Sequence, residues 1–133
     1  MAALTSVMRA QQVVLARVDE HLGPFGLTFA RYELLRLLAF TRHGELPLGK
    51  LGQRLQVHPT SITSAVNRLE TQGFVERRAH PTDGRTTLAA ITDTGRTAVE
   101  RATDVLNREV FADIGLSDRE TTQLFNLLAK VRK

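Results

Sequence analysis

A four-residue break from Gln56 to Pro59 separates two short segments whose apolar residues keep helical spacing. Because proline suits the first turn of a helix and not its interior, Pro47 and Pro59 predict where the two helices begin. The apolar positions are Leu48, Leu51 and Leu55 before the break, and Ile62, Ala65, Val66 and Leu69 after it. Two short helices joined by so tight a turn predict a helix-turn-helix motif.

A β-hairpin is predicted directly after this motif. Gly73 suits the residue after a helix end, and segments 74–78 and 86–91 have the composition of short strands. Between them, Pro81-Thr82-Asp83-Gly84 has the composition of a turn. The hairpin extends the prediction to a winged helix-turn-helix, a mainly α fold with a small β-hairpin wing (α+β).

Amphipathic helices are predicted on both sides of the winged helix. An apolar stripe from Leu4 to Leu22 and an apolar band after Thr28, a suitable N-cap, indicate two helices before it. After it, Thr92 caps a long helix that Gly115 is expected to end. The capping-box sequence from Ser117 to Glu120 opens the last helix.

Composition excludes several classes of protein. The 133 residues include no cysteine, which excludes disulfide scaffolds and thiolate catalysis. No apolar run approaches the roughly 18 residues that span a bilayer, and no secretory signal pattern occurs, so a cytoplasmic protein without membrane contact is expected. The four histidines are scattered, and no nucleophile elbow or phosphate-binding glycine loop is present. We therefore expect no metal, no cofactor and no enzymatic activity.

The second helix of the motif presents different chemistry on its two faces. The apolar face can seat the helix on the domain, and the opposite face is polar: Thr60, Ser61, Thr63, Ser64, Asn67 and Arg68. Short polar side chains and free N–H groups at a helix start suit phosphates, and Asn and Arg can pair with base edges. The alternative is an ordinary solvated face. His58, at the cap position, is interpreted as an exposed turn residue, with a phosphate contact as the alternative.

Positive charge is concentrated in the same region. Of 18 basic residues 15 are arginine, and the segment from Arg42 to Arg85 carries seven basic and four acidic residues, a net +3 of the chain's +4. Arginine matches the geometry of phosphates and base edges. Arg77 and Arg78 adjoin on a predicted strand and point to opposite sides. We expect Arg77 to contact phosphate and Arg78 to be a structural ion-pair partner, with the reverse assignment open.

Between Pro47 and Gly95 the chain carries a series of short motifs: Leu51…Leu55-Gln56-Val57, Ser61-Ile62-Thr63, Asn67-Arg68-Leu69-Glu70, Gly73-Phe74-Val75-Glu76-Arg77, Asp83-Gly84-Arg85 and Ile91-Thr92-Asp93-Thr94-Gly95. In this combination the chain resembles the MarR family of bacterial transcription regulators. The flanking helices match the family in number and order. The chain departs from the pattern at Ser64, where many members carry arginine, and at Gly52, where alanine is common.

The resemblance implies a homodimer, most simply a repressor, that binds a palindromic operator. Its recognition helices would enter major grooves about 34–36 Å apart and its wings the adjacent minor grooves. Arg85 would enter the minor groove, where narrow A·T-rich DNA favours arginine. Asp83 would hold Arg85 extended by a charge-assisted hydrogen bond. The alternatives are an ordinary polar turn at Asp83–Arg85 and, for function, a winged helix that binds protein or RNA.

The resemblance also divides the chain, taken as one domain over residues 1–133. Residues 28–92 form the winged helix, and residues 1–27 and 93–133 supply dimerisation helices. The terminal helices carry apolar residues that a small winged helix cannot bury alone, and these are the predicted interface: Leu4, Val7, Val110, Phe111, Leu124, Phe125, Leu128 and Val131. The alternative is a self-contained core.

Family members often bind small aromatic or phenolic acids between the dimerisation region and the DNA-binding lobe. Here the candidates combine aromatic walls with a cation: Arg17, His21, Phe25, Phe29 and Tyr32. The favoured alternative places Phe29 and Tyr32 in the core and Arg17 on the surface.

Overall fold

The six predicted helices and the two predicted strands follow one another in the expected order, and the structure adds a third short strand. The computed structural model describes residues 1–133. Its elements are α1 (Ala2–Leu22), α2 (Phe29–Phe40), β1 (Glu45–Pro47), α3 (Leu48–Leu55), α4 (Pro59–Thr71), β2 (Val75–Ala79), β3 (Thr87–Ile91), α5 (Asp93–Glu109) and α6 (Asp118–Val131). The prediction of a mainly α fold with a hairpin wing is confirmed.

The wing is a three-stranded antiparallel sheet in the order β1-β3-β2. Val75 lies opposite Ile91 and Ala79 opposite Thr87, as expected for the predicted hairpin. The additional strand, β1, pairs Glu45 with Ala90 along the other edge of β3. Central strand β3 is buried from Leu88 to Ile91. The buried strand β3 therefore anchors the hairpin to the body of the domain, and its pairing with β1 adds a second attachment.

Local signals set most helix ends where the sequence predicts them. The side chains of Thr28, Thr92 and Ser117 each accept a backbone N–H at the start of a helix. Glu120 completes the capping box with Ser117, and Pro59 is the first residue of α4. The prediction for α5 was less accurate, because α5 ends at Glu109 and a short 3-10 turn precedes Gly115.

The core lies among α1, α2, α4, α5 and the sheet. Seven leucines have no exposed surface: Leu22, Leu34, Leu35, Leu38, Leu51, Leu69 and Leu106. All the buried side chains are apolar. Val110 is also fully buried in this core, so its assignment to the dimer interface is wrong. A side chain that its own chain already covers cannot contact a second copy.

Two helical segments stand clear of the core. Every residue from 1 to 13 is exposed, and no residue of α6 is buried. Apolar side chains on them remain open to solvent, including Leu4 at 59%, Phe125 at 63% and Leu127 at 60% exposure. No helix has both the length and the apolar character required to cross a membrane.

Candidate nucleic-acid interface

Helix α4 is seated by one face and exposes the other. Ile62, Val66 and Leu69 are buried against the domain. The opposite face is exposed at all six polar positions predicted from the sequence: Thr60, Ser61, Thr63, Ser64, Asn67 and Arg68. The structure thus brings these six side chains together on one accessible surface beside the wing.

The N-terminus of α4 is capped by a histidine. The Thr60 N–H donates to Nδ1 of His58 at 3.1 Å, and the Ser61 N–H donates to the His58 carbonyl oxygen at 2.9 Å. Pro59 has no N–H to offer. The expectation of free N–H groups for phosphate at this helix start is therefore wrong. His58 is an exposed turn residue that caps α4, and its accepting Nδ1 places the ring proton on Nε2.

Asn67 is held by an arginine of the wing. Arg77 Nη1 lies 2.7 Å from Glu70 Oε1, and Arg77 Nη2 donates to Asn67 Oδ1 at 2.5 Å. The Arg77 backbone N–H also donates to Glu70, at 3.2 Å. Because a guanidinium only donates, the atom of Asn67 facing it is the oxygen, and the amide nitrogen stays free. The oxygen has a second lone pair, so Asn67 can still meet a base while Arg77 fixes the orientation of its amide.

Both adjacent arginines of β2 are ion-paired. Arg77 joins α4 through Glu70, and Arg78 contacts Glu76 on its own strand and Glu45 on β1, the latter at 3.4 Å. These hydrogen bonds and charges raise the pKa of Arg78 above its usual value. The predicted structural role of Arg78 agrees with this geometry. The predicted phosphate role of Arg77 does not, because its guanidinium is already engaged by Glu70 and Asn67.

Asp83 and His80 shape the tip of the wing. Asp83 accepts the backbone N–H of Arg85 at 3.0 Å and the Thr86 hydroxyl at 2.9 Å, which lowers the pKa of its carboxyl. His80 Nδ1 accepts the N–H groups of Thr82 and Asp83, at 3.2 and 3.0 Å. The expected bond from Asp83 to the Arg85 guanidinium is not formed, because both carboxylate oxygens serve the turn. Arg85 is exposed and has no ion-pair partner.

Two cationic grooves lie on the winged helix-turn-helix, one against the wing and one against α4. One, of about 570 Å³, lies between the wing and the start of α3 and is lined by Lys50, Gln53 and Arg85. The other lies between α2 and α4 and is lined by Arg31 and Arg68. Sequence reasoning missed Lys50 and Arg31. The available signal was that neither has an acidic residue one helical turn away in the sequence.

The five candidate effector residues differ in their surroundings. Arg17 donates to the carbonyl oxygens of Asp113 and Glu109, at 3.1 and 3.3 Å, and so closes the C-terminal end of α5. Phe29 and Tyr32 adjoin, with ring centroids 6.3 Å apart, and Phe29 also lines an apolar cavity with Phe111. His21 donates to the Arg17 carbonyl oxygen, Phe25 lies near Phe74, and Tyr32 is buried. The cavity that Phe29 lines includes none of the other four candidates, so the common pocket stays a prediction.

Comparisons with known proteins agree with this architecture. The sequence model of the MarR family matches residues 27–87. The crystal structure of Sco5413, a MarR family transcriptional regulator from Streptomyces coelicolor, matches this fold with a TM-score of 0.90. The two sequences are 49% identical, and the match covers 99% of this chain and 91% of that one. Sco3205, a MarR family regulator from the same organism solved in complex with DNA, is 25% identical with a TM-score of 0.86, covering 98% and 84%.

Sequence comparison also finds a transcription regulator that is similar to this chain over part of its length. The HTH-type transcriptional regulator YdgJ of Bacillus subtilis, itself described as uncharacterised, is 31% identical over 110 residues. The match covers 80% of this chain and 65% of the relative, just under two thirds of it. These relatives are transcription regulators, not enzymes.

Proposed function

We propose that this chain, which belongs to the MarR family of transcription regulators, is a cytoplasmic bacterial repressor that binds a palindromic duplex operator as a homodimer. One observation carries the proposal: α4 exposes six polar side chains over a buried opposite face, beside a wing with an unpaired Arg85. A helix of this kind fits the major groove of B-DNA, and an extended arginine fits the narrower minor groove. The net +3 charge of residues 42–85 favours association with a polyanion.

The side chains on the exposed face of α4 differ in the chemical groups that they offer to DNA. Ser61 and Ser64 make no side-chain hydrogen bond within the chain, so their hydroxyls are available to base edges or phosphates. Thr63 donates its hydroxyl to the Pro59 carbonyl at 3.1 Å and leaves its methyl group free to contact thymine. Asn67 offers its amide nitrogen as a donor while Arg77 holds its oxygen.

The proposed dimer uses the helical segments that stand clear of the core. A helix of 14 residues that buries nothing is marginal in water unless a partner covers its apolar face. The predicted interface residues that are exposed are Leu4, Val7, Phe111, Leu124, Phe125 and Val131, and Leu128 is partly buried. Met8, Val13 and Leu127 are further exposed apolar side chains of α1 and α6. We propose that residues 1–27 and 93–133 form the dimerisation region and that residues 28–92 form the DNA-binding lobe.

We further propose that a small aromatic acid releases the operator. An apolar cavity of about 220 Å³ lies between α1, the start of α2 and the turn after α5, lined by Val14, Val18, Phe29 and Phe111. Because it adjoins the proposed dimer region, a ligand there can alter the separation of the two lobes. Benzoate titrated at constant ionic strength should weaken operator binding by the parent chain. Operator affinity that does not change with benzoate would contradict release by a small aromatic acid.

Selection of bound duplexes from a random pool tests DNA binding directly. A palindrome should emerge, and its fluorescently labelled duplex should bind with an affinity that falls steeply as salt rises, whereas the single strands should bind weakly. Arg85→Ala should weaken binding by about 10-fold or more, since a groove contact contributes about 1–3 kcal/mol. Arg119→Ala, an exposed arginine of α6, is the matched control. Equal affinity for duplex and single strand would contradict the proposal.

Sedimentation at micromolar concentration tests the dimer. The parent should sediment as a dimer, and Leu127→Glu should shift it toward monomer because a charge then replaces an exposed apolar contact. Asn126→Glu adds the same charge to the neighbouring exposed position and should leave the dimer intact. A parent chain that sediments as a monomer contradicts this part of the proposal.

A further inference from the structure

A polar cleft of about 610 Å³ lies between the start of α2 and one side of α4. Arg31 lines it from α2, and Arg68 lines it from α4. Hydroxyl groups line the α4 side as well: Thr60, Ser61 and Ser64. No carboxylate is among the lining residues. The cleft therefore presents two cations and several hydrogen-bond donors, and it opens beside the face proposed to read DNA.

The two arginines of the cleft differ from those of β2 in having no counter-ion. Arg77 and Arg78 are paired with carboxylates, whereas no acidic oxygen lies within 4.0 Å of Arg31 or Arg68. Arg31 Nη2 donates to the Gly26 carbonyl oxygen at 3.2 Å, which fixes the guanidinium, and its buried Nε has no partner. Buried donors of a cation normally have an acceptor.

The electrostatics of the cleft favour an incoming anion. Burial, and then the charge of Arg68, lower the pKa of Arg31 below its usual value, while Asp19 acts in the opposite direction. The Asp19 carboxylate already accepts the N–H of Phe29, the first residue of α2, at 2.8 Å. Since arginine stays charged at neutral pH, two guanidinium groups lie near each other with no carboxylate in contact with either. An anion placed between them would relieve this repulsion and satisfy both sets of donors.

We infer that this cleft binds a backbone phosphate of duplex DNA at the edge of the major groove that α4 enters. The inference rests on the proposed function, and it adds Arg31, which lies outside the helix-turn-helix, to the DNA-binding residues. It also assigns Arg68 to the phosphate instead of to a guanine edge. A phosphodiester suits the site because it offers acceptor oxygens to two guanidinium groups at once. Such a contact positions α4 and does not distinguish one base sequence from another.

The salt dependence of operator binding tests the assignment. Arg31→Gln and Arg68→Gln should each lower the slope of log affinity against log salt by about 1.8, because each phosphate contributes about 0.9 and a dimer has two copies of the cleft. At 0.1 M salt the affinity should fall on the order of tenfold or more, equally for every base variant of the operator. Arg31→Lys, which keeps the charge, should recover most of the slope.

A control on the same helix separates the cleft from general charge. Arg36 of α2 lies over the ring of Phe40, 4.3 Å from its centroid, and Arg36→Gln should keep the parent slope. Thermal unfolding checks that each variant is folded. If the parent binds no duplex at all, the proposed function fails. If the parent binds and Arg31→Gln keeps the parent slope and affinity, the cleft assignment alone is overturned.

A competition experiment distinguishes a backbone phosphate from a free anion. Inorganic phosphate is titrated at constant ionic strength into the parent and into Arg31→Gln. If it displaces DNA only from the parent while the two chains bind DNA equally well in its absence, the cleft is a site for free anions, and the inference is overturned. Weaker DNA binding by Arg31→Gln without added phosphate supports the backbone assignment.

Discussion

Replacing Gly95 with alanine should destabilise the fold, because the first turn of α5 abuts the backbone that leads into β2. A Cβ on Gly95 would overlap the carbonyl oxygen of Phe74 and lie 3.0 Å from both the Phe74 carbonyl carbon and the Ile91 side chain. The same oxygen accepts the N–H of Thr92, the cap of α5, at 3.0 Å. The alanine fits only if the start of α5 moves away from Phe74.

The size of the effect follows from that movement. Ordinary carbon contacts are about 3.5–4.0 Å, so a separation of about 1 Å is needed. The bond from Thr92 to Phe74 would then exceed hydrogen-bonding distance, at a loss of about 1 kcal/mol, and overpacking costs about 1–3 kcal/mol. The higher helix propensity of alanine returns up to about 1 kcal/mol. The net loss is about 1–3 kcal/mol, a fall in Tm of about 4–12 °C for a domain of this size.

Thermal unfolding followed by circular dichroism measures this difference. All samples are compared at one protein concentration, because the proposed dimer would make Tm concentration-dependent. Gly49→Ala is the matched control: Gly49 also lies in a helix, and a Cβ there meets nothing within 4 Å. The control should keep or slightly raise the Tm. A Tm for Gly95→Ala equal to that of Gly49→Ala would refute the argument from steric overlap.

Three further substitutions test the contacts described above. Arg77→Ala should change base preference at the position proposed for Asn67, because it removes the bond that orients the Asn67 amide; a uniform loss across operator variants would contradict this. His80→Ala should speed hydrogen exchange in the wing, whereas His80→Asn should not, since the amide oxygen can replace the accepting Nδ1. Ser117 hydrogen bonds lower the pKa of Glu120, so the capping box stabilises α6 above the ordinary carboxyl range and is lost as the pH falls through the lowered value. In urea titrations, Glu120→Gln should therefore unfold earlier than the parent at pH 7 and match it in acid.

The helix-turn-helix and the hairpin could be predicted because their signals are local. Pro59 marks a helix start by its own geometry, and Gly73 follows the end of α4 with a φ of +78°, which other residues rarely adopt. Strand β1 could not be predicted in the same way. Its three residues are too few to show alternation, and its existence depends on the free edge of β3.

The exposed face of α4 was predictable, but its pairings were not. Helical periodicity alone separates the six polar positions from the buried ones. The contact between Asn67 and Arg77 joins residues ten positions apart, and it depends on how β2 lies against α4. Likewise, Arg17 reaches carbonyls more than 90 residues away because α1 packs beside the end of α5. Such long-range geometry cannot be read from residue types along the chain.

The net charge of +3 on residues 42–85 underestimates the positive potential that a DNA strand would meet. All four acidic residues between Arg42 and Arg85 are already engaged: Glu45, Glu70 and Glu76 by Arg77 or Arg78, and Asp83 by the turn. These ion pairs hold β2 to α4 and to β1, so they fix the shape of the lobe. The remaining cations of that segment have no acidic partner: Arg42, Lys50, Arg54, Arg68 and Arg85. The same arginine-rich composition thus supplies two separate groups of residues. One group fixes the geometry of the DNA-binding surface, and the other, joined by Arg31 of α2, remains free to neutralise phosphate.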